Sequence, residues 1–356
     1  MRKSKPRPIK SIGDLDAHAD KACRPFRAHW EITYRCNLNC GHCYVNHSAC
    51  PVEAPFDEVT DALQRAGVLF IVVSGGEPLM RKDWRELIQS IRSHRMSYRI
   101  LTNGTLVTPE DAKFLQETGA SAVDISIYAP ESARAPGGGL LHDHITGERG
   151  SLGKALRAID TLRSLGMKVM VKSPLFALNF RYAGELKALA EKLGCGFVSD
   201  TTFVRPAQGI REGFKEVSEQ ELEELYTKIV RIDFKALAEE GSGNLCGDIT
   251  CAAGRSTLCV RPDGSVTPCV ALPIAVAKAR GNEIAEAWTA HPALKELRTL
   301  TIDKLAECKA CPDAKGCVRC PGMALEEGGS IYGATPSTCV RTRFFAKLRK
   351  RAKKGR

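Results

Sequence analysis

Three cysteines stand within eight residues of one another, in the segment Cys36-Asn-Leu-Asn-Cys40-Gly-His-Cys43. Clustered thiolates ligate soft metals, and two kinds of site fit. A [4Fe–4S] cluster takes four ligands, so three cysteines would leave one iron open to a small molecule. A structural zinc ion would instead need a fourth ligand from elsewhere in the chain. The segment therefore predicts a metal site, and an open iron would make that site a catalytic one.

A second group of cysteines lies toward the C-terminus. Eight of the fifteen cysteines fall between residues 251 and 339, where Cys308-x2-Cys311 and Cys317-x2-Cys320 form two close pairs. Eight thiolates would complete two closed [4Fe–4S] clusters with no remainder. CxxC pairs also suit tetrahedral zinc, so both metals stay open.

Positive charge is confined to the two ends of the chain. The net charge is +11, yet five basic residues lie in 1–12 and nine in 341–356 with no acidic residue among them, which leaves the body at about −3. A nucleic-acid-binding protein would carry its basic residues on the body. We therefore expect no nucleic-acid partner and interpret the ends as solvated tails, with docking of an acidic peptide or electron-donor protein as the alternative.

The expected compartment bears on the cysteines. No run approaches the roughly 18 apolar residues of a membrane span, and the basic N-terminus is not followed by the apolar segment of a signal peptide. We expect a cytoplasmic protein with no membrane partner, and a reducing cytoplasm disfavours disulfides. Metal or iron–sulfur ligation is therefore the favoured role of the cysteines.

The elements that must position these residues alternate between short β-rich runs and longer amphipathic segments, which is typical of βα units around a parallel sheet. We predict strands at 29–35, 69–74, 97–102, 122–128, 168–173 and 197–204, and helices at 57–67, 82–95, 109–118, 151–165, 182–193 and 218–240. Six units suffice for a partial (β/α)6 barrel, whose chemistry gathers at the carboxyl ends of the strands. The motifs that begin at Cys36, Ser74 and Thr102 follow the first, second and third strands.

Four regions result from this pattern. We predict a basic N-terminal extension (1–28), an α/β partial barrel (29–240), a small Cys-rich domain held by metal (241–340) and a basic C-terminal tail (341–356).

The cysteine motif, followed by Tyr44, resembles the signature of the radical S-adenosylmethionine (SAM) superfamily, in which histidine before the third cysteine is a familiar variant. Ser74-Gly75-Gly76-Glu77-Pro78 is similar to the family's GGEP motif, which receives the SAM amino group. The resemblance implies that Cys36, Cys40 and Cys43 hold a catalytic [4Fe–4S] cluster and that SAM is cleaved to a 5′-deoxyadenosyl radical, which abstracts hydrogen from a substrate. It also implies SAM contacts at four further residues, namely Tyr44, Asn103, Ser126 and Lys172.

The later cysteines resemble the SPASM domain, an auxiliary-cluster extension of radical SAM enzymes. By that resemblance one auxiliary cluster takes Cys251, Cys259, Cys269 and Cys320, and a second takes Cys308, Cys311, Cys317 and Cys339. Only two residues separate Cys317 from Cys320, where the family usually has three, and Cys246 could substitute for a neighbour. Cys23, Cys50 and Cys195 are expected to be ordinary thiols. The segment 142–151 also resembles a stretch common in the family, and we interpret its histidines as part of a solvated loop.

The domain order implies an oxidoreductase or maturase, and three substrate classes fit it. Maturation of a ribosomally made peptide is the leading hypothesis. Tetrapyrrole side-chain modification, as in haem d1 or alternative haem synthesis, is the alternative. Sulfatase formylglycine formation is disfavoured because Val270 stands where those maturases usually carry an acidic residue. We further expect an electron donor such as flavodoxin or ferredoxin. Residues 1–28 are too short for a leader-binding domain, so a separate leader-binding protein is a possible partner.

Overall fold

The computed structural model describes residues 12–46, 50–202, 204, 209, 213–230, 251–314 and 317–354. Its centre is a sheet of six parallel strands that follow one another in chain order. Their bounds are β1 (Arg27–Thr33), β2 (Phe70–Gly75), β3 (Ser97–Thr102), β4 (Val123–Ser126), β5 (Val169–Pro174) and β6 (Gly196–Asp200). Within the described residues, β6 pairs with β5 alone, so the sheet does not close. The predicted partial barrel is therefore confirmed.

Helices cover the outer face of this sheet. They are α2 (Phe56–Arg65), α3 (Trp84–Ser93), α4 (Pro109–Glu117), α6 (Ser151–Ser164) and α7 (Ala183–Lys192), whereas the short α5 (Leu141–Thr146) packs in a separate cluster with Tyr128 and Phe176. Alternate strand residues such as Ala28, Trp30 and Ile32 are buried against them in one continuous core. Burial of a large apolar side chain contributes about 1.5–3 kcal/mol, so this layer stabilises the scaffold beneath the strand ends. The predicted helix at 218–240 appears as α8 (Glu219–Glu224) and a π-helical turn to Ile229, and 231–240 lie outside the described residues.

The Cys-rich region extends the same sheet. Strand β7 (Thr257–Val260) pairs in parallel with β1 and places Cys259 opposite His29. Strands β8 (Ser265–Thr267) and β9 (Ala277–Lys278) then continue the sheet as antiparallel neighbours. The two predicted domains therefore share one sheet of nine strands.

The rest of this region is helical, with α9 (Glu283–Ala290), α10 (Pro292–Arg298), α11 (Pro321–Gly328) and α12 (Pro336–Lys354). Helix α12 includes most of the expected basic tail. Phe344 and Leu348 of this helix are 1% exposed in a cluster with Leu222 and Leu225. Lys347 and Arg351 form ion pairs with Glu219 and Glu223 of α8. The segment is thus a docked helix rather than a solvated tail, because every third or fourth position carries an apolar side chain.

The N-terminal extension also contains structure. Helix α1 (Ile12–Lys21) lies against the Cys-rich region through an Asp20–Arg255 ion pair of 3.3 Å. The carbonyl of Cys23 accepts a hydrogen bond from Trp288 Nε1 at 2.9 Å. No helix among the described residues is long and apolar enough to cross a membrane.

Candidate cofactor cavity and cysteine clusters

A cavity of about 310 Å³ opens at the carboxyl ends of the strands. All three motifs expected there contribute to its wall. The predicted site residues that line it are Cys36, Cys40, Cys43, Tyr44, Ser74, Gly75, Gly76, Asn103, Ser126 and Lys172. Glu77 and Pro78, also predicted to contact SAM, are not among the lining residues. The sheet therefore brings together ten of the twelve residues nominated for this site.

The three cysteine thiols are half-buried and close enough to influence one another. Burial raises the pKa of Cys36 to about 11, and the neighbouring charges of Glu77 and Cys43 act in the same direction. Burial also raises the pKa values of Cys40 and Cys43. Three thiolates this close need a compensating cation, because burial and mutual repulsion both disfavour the charged form. Iron ions would supply that charge, so the residues fit a cluster site.

Helix α5 holds the cysteine loop from one side. The N–H groups of Asn39 and Gly41 donate to the carbonyls of Thr146 and Ile145 at 3.0 and 3.1 Å. These carbonyls are at the end of α5, where they have no partner within the helix. The segment interpreted as a solvated loop is thus the support of the cysteine motif.

His142 anchors this support and is 2% exposed. Its Nδ1 accepts a hydrogen bond from the Tyr128 N–H at 3.1 Å, and the two rings stack. Burial lowers the pKa of His142 to about 4, so the ring is neutral. The solvated-loop interpretation is therefore wrong for His142, because the ring is buried and has a backbone donor.

His42 acts as an aromatic ring within the cysteine motif. Its ring centroid lies 4.5 Å from that of Tyr128 and 5.2 Å from that of Phe176. Burial lowers the pKa of His42 to about 4, which keeps the imidazole uncharged among these apolar neighbours.

Gly75 and Gly76 let the end of β2 approach the cysteine loop. A Cβ atom on Gly75 would lie 2.2 Å from the Thr33 carbonyl oxygen, and one on Gly76 would lie 2.3 Å from that of Arg35. Gly75 also has a φ of +129°, which side-chain-bearing residues rarely adopt. The Gly76 N–H donates to Thr33 and the Glu77 N–H to Arg35, each at 2.8 Å. The two glycines therefore fix the backbone directly before Cys36.

Glu77 lies beneath the cavity wall and is fully buried. Its carboxylate accepts hydrogen bonds from the Thr102 hydroxyl at 2.7 Å and the Asn103 N–H at 2.8 Å. Burial raises the pKa of Glu77 to about 7, against the opposing effect of these donors. The structure thus places Glu77 as a tie between the ends of β2 and β3.

Asn103 has partners in the cysteine loop. Its Nδ2 donates to Asn37 Oδ1 at 3.0 Å, and Asn37 in turn donates to the Thr105 hydroxyl at 2.8 Å. A hydrogen bond from Asn103 also lowers the pKa of Cys36 against the larger effect of burial. Asn103 therefore connects the third strand to the first cysteine.

Lys172 already has a partner in the barrel. Its Nζ lies 3.2 Å from Asp124 Oδ2, and Arg99 lies 2.9 Å from the other oxygen of the same carboxylate. Asp124 is 1% exposed and lines the cavity together with Ser126. A negative SAM carboxylate at Lys172 would share that ammonium with Asp124.

Tyr44 lines the cavity, and its hydroxyl is bonded to a buried carboxylate that also contacts the Cys-rich region. Its hydroxyl donates to buried Glu31 at 2.7 Å, and Tyr34 donates to the same carboxylate at 3.0 Å. Arg261 lies 4.0 Å from Glu31 and donates to the Tyr34 hydroxyl. Burial raises the pKa of Glu31, and all of its partners oppose that shift. Glu31 and Arg261 were not predicted from the sequence, although a charged residue inside an apolar strand, Trp30-Glu31-Ile32, was an available signal.

The first predicted auxiliary set shows mutual electrostatic influence. Burial raises the pKa of Cys269 to about 12, with further contributions from Cys251 and Cys320. Cys320 likewise raises the pKa of Cys251, where burial is again the larger cause. Cys259 is fully buried in β7, and Cys269 acts on it. Cys246 lies outside the described residues.

The second predicted set behaves in the same way. Burial raises the pKa of Cys308, and Cys339, Cys317 and Cys311 add to that effect. Cys339 and Cys311 also raise the pKa of Cys317. Cys339 is carried on helix α12, so this helix joins the second set to the open edge of the barrel.

Two of the three cysteines expected to be ordinary thiols differ in burial, since Cys195 packs in the main core and Cys50 is exposed. Within the described residues, no three His, Cys, Asp or Glu side chains converge on a single metal ion. The four ligands of a [4Fe–4S] cluster each bind a different iron atom, so a cluster site does not require side chains that converge on a single ion.

Comparisons with known proteins find matches for both parts of the chain. Residues 30–193 match the radical SAM superfamily, and residues 251–312 match the SPASM iron–sulfur cluster-binding domain. The AdoMet-dependent heme synthase of Nitratidesulfovibrio vulgaris is 26% identical over 90% of this chain and 94% of its own length. The mycofactocin maturase MftC of Mycobacterium tuberculosis is 29% identical over 67% of this chain and 63% of its own length.

The fold is similar to that of Streptococcus suis SuiB bound to S-adenosylmethionine. The TM-score is 0.68 at 17% identity, over 93% of this chain and 84% of SuiB. At this identity the likeness concerns the fold.

Proposed function

Because the chain belongs to the radical SAM superfamily and carries a SPASM domain, we propose that it is a maturase whose substrate is a ribosomally made peptide. Its cofactors are SAM and [4Fe–4S] clusters. When bound, they supply reductive SAM cleavage and hydrogen abstraction from the substrate. The role of this chain's own residues is to bind, orient and shield that chemistry.

We assign the catalytic cluster to Cys36, Cys40 and Cys43. Their support by α5 and by the Gly75-Gly76 turn fixes the loop on two sides, which a site that must control a reactive species requires. The remaining cavity wall, with Ser74, Ser126 and Lys172, is assigned to SAM. The auxiliary sets predicted from sequence are assigned to two further clusters, with zinc as the outcome that would overturn both.

The observation that carries the peptide assignment is the edge of β6, which pairs only with β5 within the described residues. Val198 is 44% exposed, and residues 198–200 lie at the edge of the sheet. An exposed strand edge offers unpaired N–H and C=O groups to an extended peptide. Val204, which follows this strand, lines the cofactor cavity.

A second cavity adjoins the same edge. It has a volume of about 340 Å³ and is lined by Thr201 and Thr202 together with Ser218, Val340 and Arg341. Both cavities therefore include residues just beyond the carboxyl end of β6, where a peptide laid along this strand would arrive. The names of two similar proteins support the same class, since one is a mycofactocin maturase and the other, SuiB, has been solved with its precursor peptide SuiA.

Tetrapyrrole modification is the second candidate. The heme synthase match covers 94% of that relative's length, so the two chains have the same domain extent. We also propose a low-potential electron donor such as flavodoxin or ferredoxin, and a separate leader-binding protein for the peptide.

The substrate test compares the two classes directly. Reconstituted enzyme is incubated anaerobically with SAM and dithionite, either with a short peptide encoded beside the gene or with iron coproporphyrin III. We expect the peptide, and not the tetrapyrrole, to raise 5′-deoxyadenosine formation above the substrate-free level and to change in mass. Stimulation by the tetrapyrrole alone would replace the proposal.

The edge of β6 is tested by Val198→Lys. A charge there should raise the peptide KM several-fold while leaving substrate-free SAM cleavage unchanged, because edge pairing is disrupted without altering the cofactor cavity. Leu69→Lys is the matched control, since Leu69 is 53% exposed before the start of β2 at the other end of the strands. Equal KM values for both variants would contradict binding at β6.

A further inference from the structure

Arg319 lies between the two auxiliary cysteine sets. In the chain it stands two residues after Cys317 of the second set and directly before Cys320 of the first. Arg319 is 8% exposed, whereas its neighbour Val318 is 66% exposed. The short two-residue spacing between Cys317 and Cys320 therefore turns the arginine inward and the valine outward.

The guanidinium is only partly satisfied by the protein. Its Nε donates to the Gly333 carbonyl at 3.1 Å, and Nη2 donates to the carbonyls of Ile331 and Gly333. Nη1 is buried and has no hydrogen-bond partner among the described residues. A buried cation with an unmet donor is costly unless an anion faces it.

The anions available to face this cation are the proposed cluster ligands. Cys317 and Cys320 flank Arg319 in the chain and belong to different sets. The carbonyls fix the position of the guanidinium, while the thiolates supply the compensating charge. The environment of Arg319 is thus built around two anionic centres.

We propose that Arg319 is a positioning residue shared by the two auxiliary clusters, which it raises in reduction potential by placing a fixed positive charge between them. The inference rests on the proposed ligand sets. A [4Fe–4S] cluster with four thiolates carries a net charge of about −2, and one electron from a low-potential donor takes it to about −3. A fixed cation stabilises the more negative state more strongly, so each potential is higher with Arg319 than without it.

The test is potentiometry on the reconstituted full chain, monitored by electron paramagnetic resonance. Using the Cys36→Ala/Cys40→Ala/Cys43→Ala background removes the first cluster and leaves the auxiliary signals alone. Arg319→Gln should retain about 8 Fe per chain and lower both auxiliary potentials. Arg319→Lys should lower the potentials less than Arg319→Gln, because lysine keeps the positive charge. A smaller decrease is still expected, since a point-charge ammonium cannot face both clusters as the planar guanidinium does.

Arg280→Gln is the matched control. Arg280 belongs to the same region but is an exposed residue paired with Glu283, so its loss removes the same charge at a solvated position. Its variant should keep both wild-type potentials, because exposed charges are screened.

The outcomes separate this inference from the ligand assignment. A background protein that binds no auxiliary iron refutes the assignment itself. Full iron with unchanged potentials in Arg319→Gln overturns the role of Arg319. If Arg319→Gln does not load with iron, Arg319→Met, which also removes the charge, is measured in its place, and unchanged potentials there overturn the role equally. Loss of auxiliary iron from both uncharged variants would show that Arg319 has a structural role instead of tuning the potentials.

Discussion

Gly76→Ala is the substitution whose effect follows most directly from the structure. The added Cβ would lie 2.3 Å from the Arg35 carbonyl oxygen and 2.8 Å from that of Tyr34. These are backbone atoms, so no rotamer change can relieve the contact. The ends of β1 and β2 must separate by at least about 0.7 Å to restore 3.0 Å. The displaced carbonyl belongs to the residue directly before Cys36.

Two costs follow from that displacement. Overpacking of a rigid site costs about 1–3 kcal/mol of the free energy of unfolding. The Gly76 and Glu77 N–H bonds to Thr33 and Arg35, both 2.8 Å, would lengthen with it. A misplacement of about 1 Å at a reacting centre can lower a rate about 100-fold. We therefore expect a loss of 5′-deoxyadenosine formation on the order of 100-fold in a protein that still folds.

The assay is the initial rate of 5′-deoxyadenosine formation at saturating SAM, with iron content measured on the same sample. Gly153→Ala is the control, because its Cβ would lie 3.5 Å from an Arg157 side-chain nitrogen, an ordinary contact. Alanine also favours a helix over glycine by about 1 kcal/mol. A Gly76→Ala enzyme with the wild-type rate and full iron would refute the proposed coupling between this turn and the cysteine loop.

Three further predictions concern the supports of the site. Burial raises the pKa of Glu77 to about 7. Folding therefore favours the protonated carboxyl, and this contribution to stability is lost as pH rises through that pKa. The free energy of unfolding of the wild type should fall by about 3 kcal/mol from this group between about pH 4 and pH 8. Glu77→Gln should lack that pH-dependent component in urea unfolding of the metal-free protein, and parallel pH profiles for the two proteins would exclude it. His142→Ala should lower the free energy of unfolding by about 2–4 kcal/mol, because it removes a buried ring and the acceptor of the Tyr128 N–H. His144 is exposed, so His144→Ala should cause no measurable loss. Equal losses in the two variants would contradict the anchoring role of His142. Cys320→Ala should lower iron from about 12 to about 8 per chain while Cys246→Ala leaves it unchanged, and the reverse result would transfer the ligand role to Cys246.

The parallel strands were predictable because most of them are short runs rich in apolar and β-branched residues that stand apart from the helices. The predicted strand at 97–102 matches β3 residue for residue, and the helix predicted at 109–118 ends one residue earlier in the structure. That helix carried a local signal, the Thr108-Pro109 start, and the structure adds a capping box with Asp111. Such patterns predict helix ends from the sequence because they depend only on neighbouring residues and not on distant parts of the chain.

What sequence reasoning missed depends on contacts between distant segments. Strand β7 has four residues and is defined by its pairing with β1, more than 200 positions away in the chain. Helix α5 has six residues, too few for a helical period to be recognised. Gly76 was expected to admit SAM, whereas the contact that requires a glycine there is the backbone of Arg35. The sequence motifs therefore indicated where the site lies, whereas the contacts in the folded chain explain why each residue is required there.

Anaerobic reconstitution with iron and sulfide tests the central claim most directly, applied to the wild-type chain and to Cys36→Ala/Cys40→Ala/Cys43→Ala. The account predicts about 12 Fe for the wild type and about 8 for the variant, with 5′-deoxyadenosine formed from SAM and dithionite by the wild type alone. A colourless wild-type protein that holds about two or three zinc ions, or a variant that cleaves SAM at the wild-type rate, would contradict it.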